Sequence, residues 1–139
     1  GHTATMTTLL DAGAQPDAAD LAGATPLHLA AQAGERFAAR LLLRWCEPNT
    51  ADIYGVAPLH KAVAFGHAAT VQVLLADSRV RIDQPVGEVR APEGHAALSG
   101  GETALILAAS HTYHFNHTKH TRIAALLLEA GADPNKPAP

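Results

Sequence analysis

The chain has 139 residues, 47 % of them hydrophobic and only 4 % aromatic, which suits one soluble domain packed by alanine and leucine rather than a wide aromatic core. A formal net charge of −3 leaves no basic stripe for a phosphate backbone, and no apolar run approaches the about 18 residues of a membrane span, so neither nucleic acid nor membrane is an expected partner. Cys46 is the only cysteine, which excludes an internal disulfide and points to a reducing, cytoplasmic setting.

The opening Gly-His-Thr-Ala-Thr has neither a charged nor a long apolar leader, and the lack of an initiator Met is expected of an expressed fragment. Leu9-Leu10 then leads to Gly13-Ala14-Gln15-Pro16-Asp17, a helix closing on a glycine free to adopt the left-handed conformation. Asp20 to Gly23 is turn-rich and reads as a hairpin tip. From Gly23 to Ala31 the chain runs Gly-Ala-Thr-Pro-Leu-His-Leu-Ala-Ala, with Thr25 placed to cap the free amides of a first turn. Pro26 follows where a missing N–H costs nothing, and Ala30 and Ala31 keep the helix thin. Leu41-Leu42 belongs to the next helix and leads to Pro48-Asn49. Trp45 stands where a later copy has Gly131, so this corner does without glycine's freedom at positive φ. The indole either fills the space of a missing residue or turns outward as a contact.

A second copy, GVAPLHKAV from Gly55 to Val63, lies 32 positions on, after another turn-rich tip at Asp52 to Gly55, and residues 13–28 align with 45–60 without a gap. Gly66-His67 precedes a second helix from about Ala68, where Val71, Leu74 and Leu75 have helical spacing for one buried stripe. A third copy, GETALILAA from Gly101 to Ala109, lies 46 positions further, with Ala104 and Ile106 in place of Pro and His. Its second half brings Leu127-Leu128 to Gly131-Ala132-Asp133-Pro134-Asn135. Two insertions set this copy apart: VGEVRAPEGHAA at 86–97, and a second near 111–117 between the two helices. Self-similarity at this period signifies a solenoid, whose insertions become surface loops, often on a binding face. Such loops are also tolerated without function, because closing a longer one costs little entropy.

The recurring TPLHxAA, Gly66-His67, the paired leucines and the GADPN closure resemble the ankyrin repeat. The resemblance implies an all-α solenoid of stacked helix-turn-helix units joined by β-hairpin-like loops. It forms one domain over 1–139, with a partial repeat at 1–17, repeats at 18–50 and 51–84, and an expanded repeat at 85–136. Nothing resembles a polar terminal cap, so a longer array is expected. The resemblance further implies that His28 and His60 are structural histidines bonded within the loops. It also places variable, outward-facing positions on a concave surface made by hairpin tips and first helices. In the first full repeat these are Leu21, Ala22, Ala24, Gln32 and Ala33. In the second they are Ile53, Tyr54, Val56, Ala64 and Phe65, and in the third Ser99, Gly100, Glu102 and Ser110. Four of the five in the second repeat are sizeable apolar or aromatic groups, a composition that marks interface centres, so Tyr54 and Phe65 lead the expected contacts with Lys61 beside them. The alternative is that a neighbouring loop, the 86–97 insertion, folds over this patch.

Histidine is the one residue type that raises the question of chemistry. His111, His114, His117 and His120 recur every third residue, and neutral imidazole is a good zinc donor. On a continuous helix each step of three turns the side chain by about 300°, so the first and fourth face apart. With no cysteine in the cluster, a polar solvated loop titrating below neutral pH is the expected reading. Asn116-His117-Thr118 fits the glycosylation pattern and is read as chance. No nucleophile elbow, phosphate-binding loop, paired acids in an apolar setting or His-Glu-x-x-His occurs, so no enzymatic activity, cofactor, resident metal or small-molecule substrate is expected. The expected function is binding of a partner protein. Its rivals are a structural spacer within a longer array and a metal-responsive histidine loop.

Overall fold

A computed structural model of the chain describes residues 3–87, 101–111 and 117–136. These contain seven helices: α1 Thr3–Asp11, α2 Pro26–Ala33, α3 Arg36–Leu42, α4 Pro58–Ala64, α5 Ala68–Leu75, α6 Ala104–His111 and α7 His117–Glu129. Helices α2 and α3, α4 and α5, and α6 and α7 pack as pairs, and the pairs stack in register. One layer is thus α2, α4 and α6, and the other is α1, α3, α5 and α7.

Each pair is preceded by a hairpin tip whose ends are joined by a backbone bond: Asp20 N–H to Ala24 O at 3.0 Å, Asp52 N–H to Val56 O at 3.0 Å, and Val86 N–H to Glu102 O at 2.9 Å. A second bond runs from Gly23, Gly55 or Gly101 N–H back to Asp20, Asp52 or Val86 O, respectively. Three residues lie between Asp52 and Val56 but fifteen between Val86 and Glu102, so the first insertion sits wholly at the third tip. Residues 88–100 of that tip, with Ser99 and Gly100, lie outside the described residues, as do residues 112–116 of the second insertion.

The helix starts differ from the sequence expectation in one instructive way. Thr25 is extended, at φ −85° and ψ 166°, but its hydroxyl caps no amide of α2. The Thr25 N–H donates to His28 Nδ1 at 3.1 Å, and the hydroxyl lies 2.9 Å from the same nitrogen. Ala57 N–H meets His60 Nδ1 at 3.1 Å in the same way. The histidine therefore satisfies the cap residue's own amide, which is why alanine is tolerated at position 57. Because Nδ1 accepts, Nε2 carries the proton in both rings. It donates forward to the next hairpin, from His28 to Val56 O at 2.9 Å and from His60 to Gln84 O at 2.8 Å.

Helix α2 ends at Gly34 with φ 74°, where a Cβ would also press into the His67 ring at 2.6 Å. That ring, at the start of α5, donates from Nε2 to Gln32 O at 2.9 Å and so ties two repeats together. Leu27, Leu42, Leu59, Leu74, Leu107, Ile123 and Leu127 form the spine of the core, with Ala31, Ala39, Ala62 and Ala108 allowing close helix contact. Burial of each large aliphatic side chain contributes about 1.5 to 3 kcal/mol. On α5, Val71 and Leu74 are fully buried but Leu75 only half-buried, so the stripe is narrower than its spacing suggested.

At the first full repeat's corner, Trp45 turns outward and is 49 % exposed. The chain closes there without positive φ, through the amides of Trp45 and Cys46, which both donate to Leu42 O at 2.9 and 2.8 Å. The Cys46 thiol donates to Pro16 O at 3.2 Å, bonding this corner to the one before it.

Candidate protein-binding face

The second hairpin tip is built around one carboxylate. Asp52 Oδ1 accepts the N–H groups of Tyr54 at 2.9 Å and Val56 at 3.0 Å, while Oδ2 lies 3.2 Å from Lys61 Nζ on α4. Its side chain is only 2 % exposed. An aspartate bonding its own backbone two and four residues on holds a turn in one shape. Asp20 does the same at the first tip, accepting Ala22 and Ala24 N–H at 2.9 Å each, but stands in solvent. Gly55 completes the second tip at φ 68°, where a Cβ would collide with the backbone of Gly87 in the third. The tip is thereby fixed from inside and from its neighbour, and it holds Ile53 and Tyr54 out of the core, 62 % and 44 % exposed.

Phe65 caps the far end of α4 and is 55 % exposed, its ring nearly parallel to that of His67 with centroids 6.4 Å apart. Between Tyr54 and Phe65 runs a seven-residue helix, about 10 Å long. The exposed apolar side chains therefore frame α4 at both ends. In the first repeat, Leu21, Gln32 and Ala33 are exposed, and Ala22 and Ala24 are half-buried. In the third, Ser110 is exposed and Glu102 half-buried.

Several of the expected positions need correction, Ala22, Ala24 and Glu102 among them, because they are only partly exposed. Val56 does not face outward: it is 5 % exposed, its amide held by Asp52 and its carbonyl by His28. Ala64 is half-buried rather than outward-facing. Lys61 is half-buried and engaged with Asp52, so it braces the tip rather than offering a free contact. Conversely, Leu29 is 55 % exposed and was missed. Its position, 32 residues before Lys61 in the same motif slot, was the available signal.

The groups that raised the question of chemistry are largely spent on structure. Burial pushes the imidazoles of His28 and His60 below the ordinary histidine value, opposed by the carbonyls of Val56 and Gln84 respectively. Both rings have both nitrogens engaged. Burial, reinforced by nearby Asp17, pushes the Cys46 thiol up to about 12, which leaves it un-nucleophilic at neutral pH. His120 is 8 % exposed, packed in α7 near Gly66, and so leaves the expected solvated histidine loop. His114 and the side chains of His111 and His117 lie outside the described residues. Among the described residues no three His, Cys, Asp or Glu side chains converge on a metal-sized site, and no helix is long and apolar enough to cross a membrane.

Comparison with known proteins agrees with this architecture. A family model described as ankyrin repeats, in three copies, matches residues 1–85, and one described as an ankyrin repeat matches residues 100–138. No curated protein matches the chain. The stretch between the two matches falls in the expanded third tip. The stacked helix pairs, the forward-bonding histidines and these matches together show that the chain belongs to the ankyrin-repeat family.

Proposed function

We propose that this chain captures a partner protein on the face formed by its hairpin tips and the α2, α4 and α6 layer, with Tyr54 and Phe65 as principal anchors. Ankyrin repeats are generally protein–protein interaction modules, and the family is typically non-enzymatic. The observation that carries the finer reading is the exposure of Ile53, Tyr54 and Phe65 on a tip and helix whose backbone is otherwise held tightly. Large side chains presented by rigid backbone lose little entropy on binding, and aromatic anchors dominate interface energetics. Leu21 and Leu29 are also exposed, on the first repeat's tip and first helix.

Photo-cross-linking tests this placement. A benzophenone side chain in place of Tyr54 is expected to form a covalent adduct with the partner in cell extract, whereas one in place of the equally exposed Leu128 on α7 is not. Adducts from position 128 and none from position 54 would move binding to the other helix layer.

A further inference from the structure

The second helix layer carries a groove of its own. Between α3 and α5 lies an open cleft of about 800 Å³. Its floor is apolar, with Leu43 buried and Val73 half-buried, and the opposite side is lined by Ala69 and Gln72 of α5 and by Ala76 at its end. One wall carries Arg36 and Arg40 on α3 and Arg44 in the turn just after it, all exposed. Arg36 and Arg40 lie about one turn apart on one side of α3, with the Arg36 guanidinium 4.6 Å above the Phe37 ring. Among the described residues none of the three has an ion pair, while the one carboxylate at the groove's end, Asp77, is taken by Arg79 at 2.6 Å. A chain of net charge −3 thus concentrates unpaired positive charge along one wall of one apolar groove.

We propose that this groove is a second docking site, separate from the Tyr54 face, for a short acidic amphipathic helix of a partner protein. At about 800 Å³ the open groove has room for one side of a short helix. A partner helix with carboxylates every fourth residue along one edge and leucines along the next sets each carboxylate against a guanidinium and the leucines on Leu43 and Val73. The overall negative charge of the chain opposes a nucleic acid in the same place.

The probe is a fluorescein-labelled peptide of about 14 residues with that pattern, long enough to hold helix, titrated with the protein by fluorescence anisotropy. Saturable binding that weakens with added salt is expected. Arg40→Glu, at an exposed position, is expected to weaken it about tenfold or more. Ala69→Trp, which fills the groove without touching its charge, is expected to abolish it. Circular dichroism checks that both variants fold, and the Tyr54→Ala and Phe65→Ala double variant is expected to bind the peptide normally. The proposal is overturned if the peptide does not bind, or if Arg40→Glu and Ala69→Trp bind like the parent. Equal binding of a glutamine-for-glutamate peptide, of a peptide with the same composition scrambled, or of a thymidine oligonucleotide also overturns it.

Discussion

Replacing Asp52 by alanine removes more than its small side chain suggests. The carboxylate accepts two backbone amides and faces Lys61, and at 2 % exposure no water takes its place. A hydrogen bond to a charged group contributes about 1.5 to 3 kcal/mol, and breaking a buried ion pair from one side costs about 3 to 5 kcal/mol. The two overlap, because the same carboxylate serves both, so the expected loss for Asp52→Ala is about 3 to 5 kcal/mol. Asp20→Ala removes the same two amide bonds from an exposed site, where water substitutes, and is expected to cost about 1 kcal/mol. Urea unfolding followed by circular dichroism separates them: with a slope of about 2 kcal/mol per molar, the midpoints differ by about 1 to 2 M. If the two variants shift the midpoint equally, burial of Asp52 is not what makes the second tip rigid, and the account of how Tyr54 is held fails.

Leu74→Ala, at a side chain with no exposed surface on α5, is expected to cost about 2 to 5 kcal/mol in the same urea assay; a cost near that of a surface substitution would place the α5 buried face wrongly. His28 and His60 have folded-state pKa values below the ordinary 6.5, so the unfolded chain binds more protons under that pH. Stability is therefore fully present above about pH 6.5 and declines as pH falls below it, by up to about 1.4 kcal/mol per pH unit for each ring. Urea midpoints that stay level from about pH 7 to about pH 5 would contradict neutral, doubly bonded rings. Cys46, buried and donating to Pro16 O, is expected to resist a thiol reagent in native buffer and to react at once in urea; rapid native labelling would show that this corner opens.

The repeat was legible because its signals are local and redundant. A Pro opening a helix, a Gly at positive φ and alanines spaced for close packing each declare themselves within a few residues, and the chain states them two or three times. The forward bonds were less visible. Nothing local to His28 shows that its Nε2 reaches the Val56 carbonyl of the next repeat, nor that its Nδ1 takes the amide of Thr25. Val56 illustrates the limit at the candidate site. A motif slot assigns a face only approximately, and here the amide and carbonyl bonds of the tip turn a bulky aliphatic residue inward. Lys61 misleads for the complementary reason, since its partner Asp52 lies nine residues back, across a turn whose shape the sequence does not declare. Leu29 is not legible as exposed, because an ordinary helix-forming leucine in that slot looks like core until its neighbours are known. The α3 to α5 groove arises only when the two helices lie side by side, since its walls come from two separate stretches, 36–44 and 69–78.

The most direct test of the central claim is the partner's dissociation constant for the parent chain and for the Tyr54→Ala and Phe65→Ala double variant, taken together with both melting temperatures. Both side chains stand out of the core, so melting is expected to change by no more than a few degrees. Binding is expected to weaken by about thirty-fold or more for each anchor lost. A double variant that melts normally and binds its partner with undiminished affinity would contradict the claim that this face is where the chain does its work.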